Sequence, residues 1–376
     1  MNNSKIINIG IVGACGRGSS FKTACDTLEH VNIHAVCDIN EKELSSARER
    51  LGANEQYTDY EEMLEKSELD AVIIGTPMPL HVPQSIAALK RNLHVLCEVT
   101  AGVNIEECKK LVLACKASKG IYMMAENYTY MKPNQIVKEL VRQGLFGTPY
   151  YAEGEYIHEL KEMIENDTPW RRKWQAGVEG ITYGTHSLGP ILQWMSGDRV
   201  KRVCCEGTGV RHIDGKGEAY CQASSTMLCK TEKEALIKIR VDLVSDRPHA
   251  MTNYQLQGTD GSYESARTSD EKDKVWLRKL SQNVTWTDLD VFSNVTELAD
   301  KYLPASWRES AKEAAKAGHG GGDYFEILDF IDAIQGKLPP VIGIHEAMDM
   351  TLPGLISQQS IKEDGRWIDV PNSREW

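Results

Sequence analysis

The sequence predicts an α/β protein. An N-terminal Rossmann dinucleotide-binding domain, residues 1–125, precedes a C-terminal α+β domain, residues 126–376, built on a large, mostly antiparallel sheet. Three observations predict it. Up to about residue 125, short β-branched runs alternate with helical stretches, as parallel strands joined by crossover helices do. The first of those runs opens directly into a glycine-rich turn. From TPYYAEGEYIHEL (148–160) onward the strand-like runs lengthen and alternate apolar with polar residues, which suits an antiparallel sheet with one exposed face.

In chain order the first half offers INIGIV, NIHAVC, DAVIIG, LHVLCE and GIYMMA as strands, separated by helical segments such as EKELSSARERLG and NIEECKKLVLACKASKG. The second half offers ALIKIRVDLV (235–244) and NYQLQGT (253–259), and two helical stretches at 323–334 and 344–361 close it. An amphipathic sheet without a second helical layer predicts a homo-oligomer paired through the open face.

With 376 residues and 41% hydrophobic content the chain can build two ordinary cores. A formal charge of -11 leaves no broad basic surface, so nucleic acid and anionic membranes are not expected as partners and a small molecule is. Ten cysteines without a C-x-x-C pair, several inside apolar runs, suit reduced core thiols and a cytoplasmic protein. No export signal or bilayer-length apolar stretch is read in the sequence.

The turn GIVGACGRGSS (10–20) carries Gly13, Cys15, Gly16, Arg17 and Gly18 as the expected pyrophosphate contacts, because backbone amides opening a helix face an anion. Cys15 stands where the G-x-G-x-x-G fingerprint has its second glycine, with Gly16 beside it. Asp38 ends the second strand in AVCD, where a carboxylate takes both ribose hydroxyls and repels a 2′-phosphate. No cation follows in Ile39 or Asn40, so NAD is the expected cofactor.

In GTPMPLH (75–81), Thr76 and Pro77 shape the loop expected beside the nicotinamide. His81 is read first as a helix-start packing residue and stands with them among the cofactor-loop candidates. The fifth strand delivers Glu98 at its exit, the end of an open α/β sheet where ligands sit.

These elements, with a second antiparallel domain, resemble the Gfo/Idh/MocA oxidoreductase family over nearly the whole chain. Dehydrogenase members of that family follow the strand acid with lysine and proline and carry D-x-G-x-H in the second domain. Here Val99 and Thr100 follow Glu98, and GITYGTHSLGP (180–190) keeps Gly184 and His186 with Thr182 at the aspartate position. The sequence is more similar to the NAD-dependent glycosidases of glycoside hydrolase family 109, through EVTA (98–101), MAEN (124–127), YIHEL (156–160), YGTHSLGP (183–190) and HGGGDY (319–324). His249, in RPHAM, occupies a position where that group tends to have tyrosine.

The resemblance implies glycoside cleavage by a redox route. The sugar's 3-hydroxyl is oxidised against NAD+, the ketone acidifies the C2 proton, the aglycone is eliminated, water adds at C1, and the hydride returns to C3. Such a route does not need two carboxylates flanking the bond. It needs a base near C2–C3 and donors for an enolate.

His186 is expected to act on the 3-hydroxyl, imidazole being the side chain that ordinarily titrates nearest neutrality. Tyr183, three residues earlier, shares its face if a helix starts at Thr182 or Gly184, and is assigned as C2 base or enolate donor; a phenol base needs a cationic or hydrogen-bonding neighbour. Glu126 is the third catalytic candidate, on a sugar hydroxyl or the carboxamide, with Asn127 beside it on the cofactor side. Glu98 is expected on the nicotinamide ribose or on the substrate. Tyr156 and His158 share a sheet face and are candidate sugar contacts, as are His249 and His319. Arg171 lies in TPWRRKW (168–174), which suits sugar stacking and packing equally.

Asp323 reads as an N-cap for the following helix. His319 and Asp323 have helical metal-ligand spacing, but the glycines between them disfavour a helix, so no metal is expected. Two competing readings use the same fold. One is an NAD-linked sugar dehydrogenase forming a 3-keto sugar, and the other is a sugar and nucleotide sensor without catalysis.

Overall fold

The computed structural model describes residues 6–248, 251–281 and 283–376. The chain forms two compact units. Unit 1 comprises Met1–Tyr130, Ser310–Met348 and Ser373–Trp376; unit 2 comprises Met131–Glu309 and Asp349–Asn372. Where the sequence reading draws one boundary after residue 125, the chain returns to unit 1 twice.

Unit 1 holds a six-stranded parallel sheet: β1 (Ile7–Val12), β2 (Val31–Cys37), β3 (Glu55–Tyr57), β4 (Ala71–Ile74), β5 (His94–Glu98) and β6 (Tyr122–Ala125). Their spatial order, β3-β2-β1-β4-β5-β6, is that of a doubly wound dinucleotide-binding fold. Every residue of the central strand β4 and of β6 at the sheet's edge is buried, as expected of parallel strands covered on both faces. Ile9, Ile11, Ile73 and Leu96 are fully buried, and each contributes about 1.5–3 kcal/mol by leaving water. Five of these strands are those expected from the sequence; the sixth, β3, is a three-residue edge strand too short and too polar to show a period.

Register sets what this sheet presents. Val12 pairs with Cys37 and with Ile74, Ile74 with Cys97, and Glu98 with Ala125. The carboxyl ends of these strands are therefore level, and residues 13, 38, 75, 98 and 126 leave the sheet along one edge.

Unit 2 holds a nine-stranded sheet: β7 (Pro149–Ile157), β8 (Val200–Gly207), β9 (Ser224–Thr231), β10 (Leu236–Asp242), β11 (Thr252–Gly258), β12 (Gly261–Glu264), β13 (Lys274–Leu277), β14 (Thr287–Asp288) and β15 (Ile368–Asp369). The order is β14-β13-β12-β11-β7-β10-β9-β8-β15, antiparallel except where β10 runs parallel to β7. Buried positions alternate along β9 and β10, so one face forms a core. The other carries ion pairs such as Lys238 with Glu153 and Arg240 with Asp242.

The helix Thr185–Trp194 packs on the inner face against β7, β10 and β11. Gly154 in β7 makes this possible, because a Cβ there would collide with the Ser187 carbonyl. The helix is tied from both ends: the Tyr254 hydroxyl donates to the His186 carbonyl, and Trp194 Nε1 donates to the Asn134 carbonyl at 3.0 Å.

Candidate active site

In unit 1 the glycine turn closes on its own backbone. Gly13 adopts φ 79°, and its missing Cβ would otherwise press on the Gly75 carbonyl; a side chain at Gly75 would in turn strike the Gly18 amide. Gly16 faces open space, with nothing nearer than 3.9 Å to the place of a Cβ. The following helical segment is a 3-10 turn, Arg17–Phe21, continued as α-helix over Lys22–Asp26.

Asp38 is wired into this turn. Its Oδ2 accepts from the Cys15 amide and its Oδ1 from the Asn40 amide, both at 2.9 Å. Burial and the adjacent Asp38 carboxylate push the Cys15 thiol up to about 11, so it is a protonated thiol at neutral pH. Ile39 is 91% exposed, beside the carboxylate expected to hold the ribose.

Thr76 Oγ1 bonds Gln84 at 2.6 Å. His81 is buried, its ring nitrogens 2.8 Å from the Thr76 carbonyl and 2.7 Å from the Thr100 carbonyl, so it braces the loops that follow β4 and β5. Pro77 precedes the 3-10 turn Met78–Leu80 and fixes the entry to that brace.

Glu126 is bonded into the turn that follows β6. It is fully buried, and its carboxylate accepts from the Tyr128 amide at 3.2 Å, the Thr129 amide at 2.9 Å and Thr129 Oγ1 at 2.5 Å. The acid expected as a catalytic group thus holds the backbone of Asn127–Tyr130.

Asp323 corrects an expectation. The helix Gly322–Ile334 begins one residue before it, and the residue preceding that helix makes no side-chain cap. Its carboxylate instead accepts from Arg17 Nη1 and Nη2, both at 3.0 Å, from Asn127 Nδ2 at 2.9 Å, and from His319 Nδ1 at 3.0 and 3.1 Å. Burial alone would raise its pKa, but the bonds from His319 and Arg17 outweigh that and hold it well below the usual carboxylate range.

Arg17 also donates Nε to Glu98 at 2.5 Å. Glu326, 3.9 Å from Arg17, is fully buried; desolvation, reinforced by the charges of Asp323 and Glu98, pushes it well above the usual range. His319 reaches Asp323 because Gly320 and Gly321 adopt φ 62° and 94°, a left-handed run that side chains resist.

These residues fit a bound dinucleotide. The open space at Gly16, the carboxylate of Asp38 at the end of β2 and the buried, unpartnered Oδ1 of Asn127 are what such a cofactor requires.

In unit 2 the structure gathers five of the predicted residues. The helix carrying His186 starts at Thr185, with Gly184 ahead of it, so Tyr183 lies just outside the first turn. His186 Nε2 is 3.3 Å from the Tyr183 hydroxyl, and the two rings are 5.2 Å apart, edge to face. Tyr156 lies 5.6 Å from the Tyr183 ring and 5.7 Å from the His186 ring, and its hydroxyl is 3.0 Å from His158 Nδ1.

Arg171 Cζ lies 5.4 Å from the centre of the Tyr183 ring and 4.5 Å from that of Trp170, while Nη1 bonds Gln175 at 2.8 Å. The phenol thus has a guanidinium over its ring and an imidazole at its hydroxyl. His249 lies outside the described residues.

Comparison with known proteins follows the same division. The description "Oxidoreductase family, NAD-binding Rossmann fold" matches residues 7–126, "GFO/IDH/MocA C-terminal domain" matches 134–264, and "Glycosyl hydrolase 109, C-terminal domain" matches 216–375. The chain belongs to the Gfo/Idh/MocA oxidoreductase family of NAD-binding enzymes.

Within it, the chain is similar to the glycosyl hydrolase family 109 proteins. It is 27% identical to one from Saccharopolyspora erythraea, over 97% of this chain and 83% of that one, and 26% identical to the alpha-N-acetylgalactosaminidase of Shewanella oneidensis, over 98% and 85%. The fold is that of an oxidoreductase domain protein from Kribbella flavida (TM-score 0.82, 19% identity, 98% of this chain and 100% of that one). It is also that of levoglucosan dehydrogenase solved with NADH and L-sorbose (TM-score 0.81, 18% identity, 98% and 100%). The chain is an enzyme, a glycosidase or a related sugar oxidoreductase, and its cofactor is NAD.

Proposed function

We propose that this enzyme is an NAD-dependent glycosidase that cleaves its substrate by transient oxidation at sugar C3. Bound NAD supplies a hydride acceptor that becomes the donor later in the same cycle. His186 takes the proton of the 3-hydroxyl as C3 becomes a ketone. The C2 proton, now acidic, passes to Tyr183, because His186 already holds the proton of the 3-hydroxyl, and the C1–O bond to the aglycone breaks with its electron pair leaving on oxygen. Addition of water across C1–C2 returns a proton to C2 and places hydroxyl at C1, and His186 returns its proton when C3 is reduced.

The observation that carries this reading is the Tyr183–His186 pair, with Arg171 over the phenol ring and Tyr156 against both rings. It is a proton-handling pair of the kind that elimination beside a ketone needs. The names of the relatives support a glycoside as substrate. Tyr156, His158 and Arg171 are assigned to the sugar, with His249 and His319. The same reading places the enzyme in the cytoplasm as a homo-oligomer, without nucleic-acid or membrane partners. Among the described residues no helix is long and apolar enough to cross a membrane.

Hydrolysis of an aryl N-acetylgalactosaminide in D₂O tests it. Deuterium at C2 of the released sugar without net NADH is the expected result. Cleavage with no C2 label and no isotope effect from a C2-deuterated substrate would overturn the elimination route. NADH accumulating in step with oxidised sugar would make the enzyme a dehydrogenase.

A further inference from the structure

Three side chains expected to meet cofactor or substrate share one buried partner in unit 1, and a fourth joins them through one of the three. Arg17 leaves the glycine turn, Asn127 follows β6, and His319 sits in the glycine loop 318–322; all three donate to Asp323, which is 0% exposed. Glu98, at the end of β5, joins through Arg17. Arg17 is not a free point charge awaiting a phosphate. Its planar fork is spent on Asp323, its Nε on Glu98, and its guanidinium lies 4.8 Å from the Phe21 ring. It acts as a bridge between two carboxylates.

The Asn127 amide is oriented by the same anchor. With Nδ2 committed to Asp323, Oδ1 is left buried and unpartnered, an acceptor available to a donor on a ligand. A neutral amide at position 323 could not serve all these donors, because its own NH₂ group would face either the guanidinium or the Asn127 amide.

We propose that Asp323 is the positioning residue of the cofactor site. One carboxylate sets the orientation of Arg17, Asn127 and His319, and through Arg17 that of Glu98, so that NAD meets a preorganised set of partners. This rests on NAD binding, which the family membership supplies, and not on glycosidase chemistry. The two are tested by different measurements and fail separately.

The measurement is the Kd for NAD+ on the full-length chain freed of nucleotide, by calorimetry, with the fold checked by circular dichroism and thermal melting. Asp323→Asn is expected to weaken NAD+ about tenfold or more, the scale of a lost charge-assisted bond. Gly318→Ala gives a second route that keeps every charge. A Cβ there lies 2.5 Å from Asp323 Oδ2, and the Gly318 backbone (φ -66°, ψ 170°) accepts alanine. It is expected to weaken NAD+ in the same direction and decides the question if Asp323→Asn does not fold.

Asn127→Ala separates positioning from mere packing. It should weaken NAD+ in the wild-type background and add little in Asp323→Asn, because the amide has already lost its anchor. NAD+ affinity within twofold of wild type in a folded Asp323→Asn or Gly318→Ala, or full additivity of Asp323→Asn with Asn127→Ala, would overturn the proposal.

Discussion

His186 Nε2 lies 3.3 Å from the hydroxyl of Tyr183, and the carbonyl of the same histidine accepts the hydroxyl of Tyr254. The imidazole is thus held at its backbone by the sheet and at its ring by the phenol. Replacing His186 by alanine is expected to leave the fold and NAD+ binding intact and to lower kcat by a factor on the order of 10²–10⁴, the usual scale for a lost acid–base group. Tyr183→Phe should lower kcat in the same direction while leaving the helix at 185–194 in place. Steady-state kinetics beside an NAD+ titration checks both; near-normal turnover in His186→Ala would return that residue to packing.

Asp38 ties the end of β2 to the amide of Cys15, so it bears on cofactor choice twice, through its charge and through the shape of the turn. Wild-type enzyme should bind NAD+ in clear preference to NADP+. In Asp38→Ala, NAD+ affinity should fall by about tenfold, with NADP+ losing little or improving as the repelling carboxylate goes. Fluorescence titration with both nucleotides reads this out, and equal affinity of the wild type for the two would refute it.

Glu326 has its folded pKa raised above the unfolded value. Above the unfolded carboxylate range, near pH 4.3, the unfolded chain releases a proton that the folded chain keeps. Stability from this group is therefore fully present below that pH and declines as pH rises. Glu326→Gln removes this dependence. The difference in Tm between variant and wild type should become more positive from pH 4.5 to pH 8, and a flat difference would contradict the raised pKa of Glu326.

Gly154 admits the helix that carries His186, since any Cβ there meets the Ser187 carbonyl. Gly154→Ala is expected to cost about 1–3 kcal/mol, the range for overpacking a well-filled site, and to lower kcat more than it raises the Kd for NAD+. Denaturant unfolding with parallel kinetics tests it; unchanged stability would mean that the helix moves without cost.

Much of the fold was legible because it depends on neighbours in sequence. Apolar period, turn glycines and the position of Asp38 after an apolar run report local geometry, and the parallel and antiparallel halves follow from them. The Tyr183–His186 pair was legible for the same reason, three residues bringing two side chains together once a helix starts nearby. Asp323 reads as a helix cap on equally local grounds. A carboxylate at a strand exit or before a helix looks like a ligand or a cap, and nothing adjacent reveals which donors surround it.

The sequence by itself determined the order of strands and helices, the glycine turn with Asp38, and the chemical types available to the site. Only the tertiary structure decided their partners. Asp323 meets Arg17 across 306 positions and Asn127 across 196, separations at which no periodicity carries information. Those contacts exist because level strand ends place residues 13, 98 and 126 on one edge, and because the segment 310–348 folds back into the same unit. Register and chain return, set by burial of the whole core rather than by any local run, turn a lone acid in a glycine-rich stretch into the anchor of the cofactor site.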